Sequence, residues 1–443
     1  GREAAVMVKR KKVAKKSDSK APQAAAKAAA LDGELPSEAE ESDDDAAQAP
    51  VEEEDDGFFE TPDEKRIRLA KEYLSKLEEA KPGEVQERLV EDVKEKTRRA
   101  TAEVQELTLG EPQYRRGHRL APTCVCMRGD EAELFTGGKD CAILRWDVEA
   151  EKKMVLHEGG KNQFECGGHF APVHGVAWVE QKQLLLSVGD DRLVRFWDTR
   201  LPPKSACVDQ LFGHEGPVSS IVVDPSGDRA YTVSSDKTLK IWDIKRRRII
   251  DTLMGHVGPV TCLDIHSEGR PVSGAMDKTV RLWKVHQDTH LIFNRHTYSV
   301  DAVAALDFQR CLSGSQDGSL LLWSHLSKKP VAKAQLDKGQ WVTALGCIRA
   351  SNVAFCGSAI GELSTWRVEQ PAAGSADTSL RLSSAAPKLS MVGSINAIAV
   401  GQRFVVCAVG KEQRGGRWFY ERGQKNGLVL VPLSYKLEKS GDE

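Results

Sequence analysis

The amino-acid sequence predicts an all-β fold, a seven-bladed β-propeller, preceded by a disordered charged tail and two short helices. Three observations predict the propeller. A pattern that ends in Trp recurs five times at intervals of about 40–51 residues. In every copy an Asp lies six residues before the Trp and a hydroxyl residue lies ten before it. In every copy a His lies 27 or 28 residues before the Trp.

This period is typical of WD40 repeats, in which four-stranded sheets stack radially and bury each other's faces. We expect the four side chains to form one hydrogen-bonded chain that links the loop before a blade, a tight turn and an inner strand. His, Asp and Ser also suggest a catalytic triad, but five equal copies favour a structural role. The five sets are His118, Thr136, Asp140 and Trp146; His169, Ser187, Asp191 and Trp197; His214, Thr232, Asp236 and Trp242; His256, Ser273, Asp277 and Trp283; and His296, Ser313, Asp317 and Trp323.

The first 61 residues are predicted to be a disordered tail that is basic and then acidic. Residues 32–60 contain 14 acidic residues and neither Lys nor Arg, so they cannot bury enough apolar surface to fold alone. Ser42 precedes three Asp residues and is a candidate phosphorylation site. An early basic cluster is either a nuclear localisation signal or a solubilising segment. The candidate localisation residues are Lys9, Arg10, Lys11 and Lys12.

Residues 62–110 are predicted to be a helical extension of two helices separated by Pro82 and Gly83. Each helix has a narrow apolar stripe, which favours docking on a partner or on the propeller wall. The alternative is a solvated, partly frayed pair of helices. The candidate docking residues are Ile67, Leu74, Leu77 and Leu89.

The propeller is predicted to span residues 111–435, followed by a disordered C-terminus at 436–443. Blades 1–5 are expected near 118–157, 169–211, 214–253, 256–293 and 296–333. Two degenerate repeats complete the ring. In blade 6, which Trp341 opens, Trp366 holds the Trp position, Ile360 replaces the Asp and Cys356 replaces the hydroxyl residue. Blade 7 is expected to begin at Ser394, to have Glu412 at the Asp position and to end at Trp418.

Two features of the last blades remain open or irregular in the sequence. Either residues 428–433 or the strand before Gly117 supplies the last outer strand, and the sequence does not decide between them. Residues 369–388 are rich in Ala, Ser and Pro, which predicts a mobile insertion between blades 6 and 7.

No catalytic, metal-binding or cofactor-binding motif is present in the sequence. We find no Gly-rich phosphate loop, no metal-spaced His pair and no nucleophile elbow, so no enzyme is predicted. The ten Cys are scattered, which favours reduced thiols, and no apolar run suggests a membrane span. The net charge of −2 combines an acidic segment 1–110, with 20 Lys and Arg against 28 Asp and Glu, and a mildly basic remainder.

Three basic surfaces are candidates for nucleic-acid binding. The first consists of cations that flank the repeat Asp residues, although Asp-Lys is also a frequent turn pair. The second mixes cations with the aromatic residues 418–420, a combination that suits RNA. The third is Lys245–Arg248, whose alternative is a solvated hairpin turn. The candidate RNA-binding residues are Lys139, Arg192, Lys237 and Lys278 at the turns, and Lys411, Arg414, Arg417 and Arg422 near the end of the chain.

Four segments resemble a known family, the U3 small nucleolar RNA-associated WD-repeat proteins. They are Glu64–Leu74, Arg88–Val93, Trp341–Leu345 and Val409–Trp418. The resemblance implies binding of the box B/C region of U3 small nucleolar RNA together with the kink-turn-binding protein. It also implies a nucleolar location, contacts with other small-subunit processome proteins, a role in pre-rRNA processing and no catalytic activity. We expect no homo-oligomer. Blade 5 departs from the usual Gly-His, since Arg295 precedes His296.

A second hypothesis stays open at this stage. The chain is then a nuclear WD40 scaffold that binds only proteins, such as histones or a ubiquitin ligase. The basic residues near 414–422 and the two predicted helices favour the RNA-binding hypothesis.

Overall fold

The computed structural model describes residues 103–160, 167–203, 205–337, 340–369, 380–416 and 423–438. The predicted charged tail, both predicted helices and residues from 439 onward lie outside the described residues. Within this part of the chain the strands form seven antiparallel sheets, which confirms the seven-bladed propeller.

The strands follow the chain in order, with four strands in each of the first six blades. Strands β1 (Glu103–Leu109) and β2 (Gln113–Arg116) precede blade 1. Blade 1 consists of β3 (Pro122–Met127), β4 (Glu133–Gly138), β5 (Ile143–Asp147) and β6 (Lys153–His157). Blade 2 consists of β7 (Val173–Val179), β8 (Leu184–Gly189), β9 (Leu193–Asp198) and β10 (Cys207–Phe212). Blade 3 consists of β11 (Val218–Val223), β12 (Arg229–Ser234), β13 (Thr238–Asp243) and β14 (Arg248–Met254).

The second half of the ring repeats this arrangement. Blade 4 consists of β15 (Val260–Ile265), β16 (Pro271–Ala275), β17 (Val280–Lys284) and β18 (Thr289–Phe293). Blade 5 consists of β19 (Val300–Ala305), β20 (Arg310–Ser315), β21 (Ser319–Ser324) and β22 (Ser327–Gln335). Blade 6 consists of β23 (Val342–Cys347), β24 (Val353–Ser358), β25 (Glu362–Glu369) and β26 (Arg381–Ser390). Blade 7 contains β27 (Ser394–Val400), β28 (Phe404–Gly410) and β29 (Gly427–Glu438). Two 3-10 turns lie at Glu180–Lys182 and Val285–Gln287.

The first strand of each blade lines the axis of the ring. Each first strand contacts the first strands of both neighbouring blades, and β27 of blade 7 contacts β3 of blade 1, so the ring is closed. The repeat Trp residues lie on the third strands, which corrects the expectation of an inner strand. Because the first strand is the innermost, the tight turns between second and third strands surround one end of the axis.

Each repeat Trp packs its blade against the preceding blade. Trp242 of blade 3 packs with Phe196 and Val188 of blade 2. In the same way Trp146 of blade 1 packs with Val406 of blade 7. Burying a large aromatic side chain at each junction stabilises the stacking of the sheets, which explains why the Trp recurs with the period of the blade.

Strands from both ends of the described chain complete blade 7. The first part of β29 pairs with β2 and its last part pairs with β1, so the N-terminal strands form the outer edge. This answers the question that the sequence left open, and it shows that β1 (Glu103–Leu109), which precedes the predicted propeller start at residue 111, pairs with the sheet of blade 7. In the register of β28 and β29, Val431 lies at the position that Trp242 holds in blade 3. Trp418, the expected end of the blade, lies outside the described residues.

Blade 6 confirms one expectation and corrects another. Trp366 pairs with Ala354 in the register that Trp242 and Ala230 have in blade 3. The Trp366 Nε1–H donates to Ser364 at 3.0 Å, since Cys356 replaces the usual hydroxyl residue. Residues 381–388 were expected to be a mobile insertion, but they belong to β26, the outer strand of the blade. An outer strand tolerates Pro387 because its free edge needs no further hydrogen bond.

Candidate nucleic-acid interface

The repeat residues form the hydrogen-bonded chains that the sequence predicts. In all five blades the Trp Nε1–H donates to the repeat hydroxyl oxygen over 2.7–2.9 Å. The same oxygen lies 2.6–2.8 Å from Nε2 of the repeat His. In blades 1–4 the His Nδ1 lies 2.7–3.0 Å from the repeat Asp carboxylate, to which it donates.

These hydrogen bonds exclude a nucleophilic role for the repeat hydroxyl groups. All five hydroxyl residues are fully buried, and each oxygen already contacts a Trp and a His nitrogen. Burial lowers the pKa of His169 and His256, which keeps both rings neutral near pH 7. Although burial opposes ionisation of Asp191, the hydrogen bond from His169 lowers the pKa of that carboxyl. The chains therefore hold loop, turn and third strand together, and they are structural.

Blade 5 holds its His in a different way. The Asp317 carboxylate accepts hydrogen bonds from Thr297 and Ser315, each at 2.6 Å. The Nδ1 of His296 instead lies 3.3 Å from the hydroxyl oxygen of Ser319. Burial then lowers the pKa of His296 to about 4. The fifth copy thus retains the Trp and hydroxyl contacts of the pattern but has lost the close His–Asp contact.

Three of the predicted RNA-binding cations are exposed at the tight turns of consecutive blades. Arg192, Lys237 and Lys278 directly follow the repeat Asp, with φ angles of 65°, 69° and 67°. The Asp side chain stabilises this left-handed backbone, as Asp236 Oδ1 accepts the Thr238 N–H at 3.0 Å. Within the described residues no side-chain hydrogen bond or ion pair engages these three cations. We call Arg192, Lys237 and Lys278 the turn rim.

The turn rim lies along one side of the mouth of an axial cavity of about 920 Å³. The residues that precede the repeat Asp in the same turns, such as Asp190, Ser235 and Met276, line this cavity. The three cations, which follow the Asp, therefore lie on the same end of the ring, farther from its axis.

Lys139, the fourth predicted turn cation, has a different position and role. It precedes its Asp, and its Nζ donates to the backbone oxygen of Gln413 at 2.6 Å and of Gly416 at 3.4 Å. An ion pair of 3.4 Å with Glu412 completes the contacts, and only 15% of the side chain is exposed. Lys139 thus fastens the segment after β28 to blade 1.

Arg414 extends the same segment across the ring. Its Nη2 donates to the backbone oxygen of His174 in blade 2 at 3.0 Å and to that of Ser219 in blade 3. Burial lowers the pKa of its guanidinium group, and the two carbonyl oxygens accept its hydrogen bonds. Arg414 lines the axial cavity, so the predicted RNA-binding segment covers part of the mouth. The single-sequence pattern gave no signal for these long-range contacts.

The other predicted cations fall into two groups. Lys411 is exposed, and its backbone N–H donates to Asn426 at 2.8 Å. Arg417 and Arg422, with the aromatic residues 418–420, lie outside the described residues.

The predicted basic hairpin lies at the opposite end of the ring, between β13 and β14. There Arg247 pairs with Asp209 at 3.1 Å, whereas Lys245, Arg246 and Arg248 are exposed.

The described residues contain no cluster of His, Cys, Asp or Glu that is arranged to hold a metal ion. None of the helical segments in the described ranges is long and apolar enough to cross a membrane.

Burial raises the pKa of Cys262 and Cys407 to about 12, so these thiols stay protonated and unreactive. The basic cluster Lys9–Lys12 and the docking residues Ile67, Leu74, Leu77 and Leu89 lie outside the described residues.

Comparison with known proteins identifies the family. The model of the WD domain, G-beta repeat, matches residues 160–198, 205–243 and 247–284. A U3 snoRNP-associated protein-like protein of Arabidopsis thaliana is 30% identical over 429 residues, which cover 86% of this chain and 87% of the relative. The chain belongs to the U3 snoRNP-associated WD-repeat family.

Other members of the U3 snoRNP-associated family agree in sequence and in structure. Human U3 small nucleolar RNA-interacting protein 2 is 28% identical over 403 residues, covering 84% of this chain and 82% of that protein. The crystal structure of the RRP9 WD40 repeats superposes with a TM-score of 0.67 at 26% identity, covering 74% of this chain and all of that chain. The structure of U3-55K superposes with a TM-score of 0.64 at 26% identity, covering 75% of this chain and 99% of that chain.

Proposed function

We propose that this protein is a component of the U3 snoRNP that binds the box B/C region of U3 small nucleolar RNA together with the kink-turn-binding protein. In this role it supports pre-rRNA processing for the small ribosomal subunit in the nucleolus. The family relationship supports the proposal, since relatives that match over most of their length are named for the U3 snoRNP and for U3 RNA. The protein acts as a binding module without catalytic activity.

The turn rim is the observation that carries RNA binding. Three adjacent blades present Arg192, Lys237 and Lys278 at one end of the ring, exposed and without protein partners in the described residues. A row of unpaired cations suits the regularly spaced phosphates of an RNA backbone and does not require a base code. Lys411, which is exposed near the same mouth, extends this positive surface, and Arg417 and Arg422 remain candidates.

The contacts of Lys139 and Arg414 argue for a supporting role. Their donors are engaged by backbone oxygens of Gln413, His174 and Ser219. We therefore assign these two residues to holding the segment 411–416 across the mouth and leave phosphate contact to the turn rim. This assignment narrows the set of RNA-binding residues that the sequence alone predicts.

The N-terminal region supplies the remaining functions of the proposal. Ile67, Leu74, Leu77 and Leu89 form apolar stripes that would dock on other small-subunit processome proteins. Lys9, Arg10, Lys11 and Lys12 would direct the protein to the nucleus.

A charge-neutralising variant tests the proposal. In the variant Arg192→Gln, Lys237→Gln and Lys278→Gln, we expect affinity for box B/C RNA carrying the kink-turn-binding protein to fall at least about tenfold, since three phosphate contacts are lost. Each lost phosphate contact removes roughly 0.7–0.9 from the slope of log affinity against log salt concentration. We therefore expect this slope to become shallower by about 2. Gel-shift titrations at several salt concentrations measure both quantities.

The basic hairpin provides the matched control. Lys245→Gln, Arg246→Gln and Arg248→Gln remove the same charge at the opposite end of the ring, and this variant should bind RNA like the unaltered protein. Equal losses in both variants would show that only net charge matters. If the unaltered protein binds no U3 RNA even at low salt, the alternative of a protein-binding scaffold replaces the proposal.

A further inference from the structure

The outer strand of blade 3 has a free edge and exposes apolar side chains. Within the described residues β14 pairs only with β13, so no strand covers its outer edge. Four consecutive residues of β14, from Arg248 to Asp251, are exposed. Two of them are Ile249 and Ile250, whose exposed fractions are 36% and 49%. Unpaired backbone groups next to aliphatic side chains allow a further strand to add to the sheet.

A comparison with the other outer strands distinguishes β14. The outer strands of blades 5 and 6, β22 and β26, contain Pro330 and Pro387, and a proline on an edge hinders further pairing. The outer strands of blades 1, 2 and 4 have five, six and five residues, whereas β14 has seven. Among the outer strands described for blades 1–6, β14 is therefore the longest that lacks a proline.

The turn that leads into β14 adds positive charge to this edge. Arg247 anchors the turn through an ion pair of 3.1 Å with blade 2. Lys245 and Arg248 are exposed, and in the described ranges no side-chain hydrogen bond or ion pair engages them. The side chain of Arg246 is 69% exposed and makes a long ion pair of 3.9 Å with Asp243. We call Lys245, Arg246, Arg248, Ile249 and Ile250 the edge patch.

A bulge leaves Ile250 without a partner on β13. Asp251 lies opposite Ile241 and Ile249 lies opposite Trp242, so Ile250 is the extra residue between them. From Asp251 onward the strand keeps a regular register with β13, so its edge is available for pairing. An apolar side chain of a partner that covers the exposed half of Ile250 removes aliphatic surface from water, which favours binding.

The side chains of the edge patch favour a protein segment over a nucleic acid. Single-stranded RNA is held by aromatic rings that stack on its bases, but the exposed apolar residues here are aliphatic. The neighbouring Phe196 ring is fully buried, 5.8 Å from the Arg247 guanidinium. The exposed carboxylate of Asp251, directly after Ile250, repels phosphate. A second copy of this chain brings the same cations, so the complementary partner is acidic.

We propose that the edge of β14 binds an extended segment of a partner protein, which adds to blade 3 as a further strand. Acidic residues of this segment pair with Lys245, Arg246 and Arg248, and its apolar residues cover Ile249 and Ile250. The edge patch starts at the end of the ring opposite to the turn rim, so the segment and RNA bind separate surfaces. The inference does not depend on the identity of the RNA.

A peptide selection with a subtractive step tests this site. A phage-displayed library of random peptides is panned on the full chain in the presence of excess soluble hairpin variant, Lys245→Gln, Arg246→Gln and Arg248→Gln. The soluble variant removes peptides that bind elsewhere on the propeller. We expect the surviving peptides to combine Asp or Glu with Val, Ile, Leu or Phe. In fluorescence anisotropy the hairpin variant should bind them at least about tenfold more weakly.

Ile250→Thr separates the apolar contact from the charge. Threonine is also β-branched and favours a strand, so the urea midpoint should not change, whereas affinity for the peptides should fall at least about threefold. Ile292→Thr is the matched control, because Ile292 lies on β18, the outer strand of blade 4, and is 44% exposed. This control should bind the peptides like the unaltered protein.

Three results would overturn the proposal. No peptide survives the subtractive step, the surviving peptides lack acidic residues, or Ile250→Thr binds them as tightly as Ile292→Thr. Loss of U3 RNA by the hairpin variant, to the same extent as by the turn-rim variant, would overturn it as well, since the hairpin cations then belong to an RNA site. Peptide binding is measured without RNA, so the turn-rim variant should bind the peptides normally even if the proposed RNA contact is wrong.

Discussion

In each repeat the hydroxyl oxygen, which lies on the second strand, contacts a Trp nitrogen on the third strand and a His nitrogen in the loop before the blade. It therefore links these three elements. In blade 3 the Thr232 oxygen lies 2.7 Å from both the Trp242 Nε1 and the His214 Nε2. The periodic spacing in the sequence predicted all five sets correctly in this respect. It did not predict the loss of the close His–Asp contact in blade 5, because Thr297 and Ser319 rearrange the contacts locally.

Removing the repeat Asp should destabilise the protein without affecting RNA directly. The Asp236 carboxylate accepts hydrogen bonds from His214, from the Glu215 N–H and from Thr238. Asp236→Ala leaves these donors unpaired, so we expect a loss of about 1–3 kcal/mol in the free energy of unfolding, measured with urea.

The control for this substitution is Asp251→Ala, at an exposed position on the outer strand of the same blade. It should change the free energy of unfolding by less than about 0.5 kcal/mol. A stable Asp236→Ala protein that has lost RNA binding would contradict the structural role of Asp236.

At the scale of elements, the contrast between blades 6 and 7 shows what sequence patterns predict. Trp366 was placed correctly because its strand retains the repeat spacing. Trp418 misled the prediction because it lies six residues after Glu412 and thus imitates the repeat. The third strand is instead β29, where Val431 is fully buried at the Trp position. The apolar run 428–433 predicted a strand. Only its pairing with β28 on one side and with β1 and β2 on the other shows that this strand is the third of the blade and not the outermost.

The outer strand of blade 7 should be sensitive to charge on one face only. Leu107 of β1 is 8% exposed and packs in a core shared by blades 6 and 7, whereas the neighbouring Thr108 points to solvent. Leu107→Asp buries a carboxylate without a partner, and we expect a loss of about 3 kcal/mol or more in the free energy of unfolding.

Thr108→Asp introduces the same charge one residue later, on the opposite face of the strand. It should change the free energy of unfolding by less than about 0.5 kcal/mol. Equal urea midpoints for Leu107→Asp and Thr108→Asp would contradict the role of β1 in closing blade 7.

At the scale of the whole molecule, buried histidines make stability depend on pH. Burial lowers the pKa of His169 and His256, and it lowers the pKa of His296 and His325 to about 4. The unfolded chain binds protons near pH 6.5, so it gains more protons than the folded chain as the pH falls from 6.5 to 4. The stabilising contribution of the neutral rings is complete above pH 6.5 and decreases through this window.

We therefore expect the urea midpoint to fall between pH 7.5 and pH 5. His296→Gln should show a smaller fall than the unaltered protein, because one of these rings is gone. His286→Gln, which replaces an exposed ring, should fall as much as the unaltered protein. A urea midpoint that is constant between the two pH values would contradict this account.

The carboxylates of the repeat lose their charge only at lower pH. Hydrogen bonds from Thr279 and His256 overcome the effect of burial and lower the pKa of Asp277 to about 2.

The candidate surface was only partly predictable from the sequence. The position of Arg192, Lys237 and Lys278 in the repeat fixes the end of the ring on which they lie, and their contact with RNA stays a prediction. Lys139 and Arg414 were also predicted to bind RNA, but their partners are backbone oxygens of distant blades.

The pairing of β1 with β29 also has a consequence for synthesis on the ribosome. Thr108 and Ser434, which are joined by a hydrogen bond, are separated by 326 residues along the chain. Among the described strands β1 pairs only with β29, so β1 must wait without this partner until nearly all of the blades have been translated. An exposed strand edge of this kind is prone to association with other nascent chains, so we expect the growing polypeptide to depend on chaperones until β29 emerges.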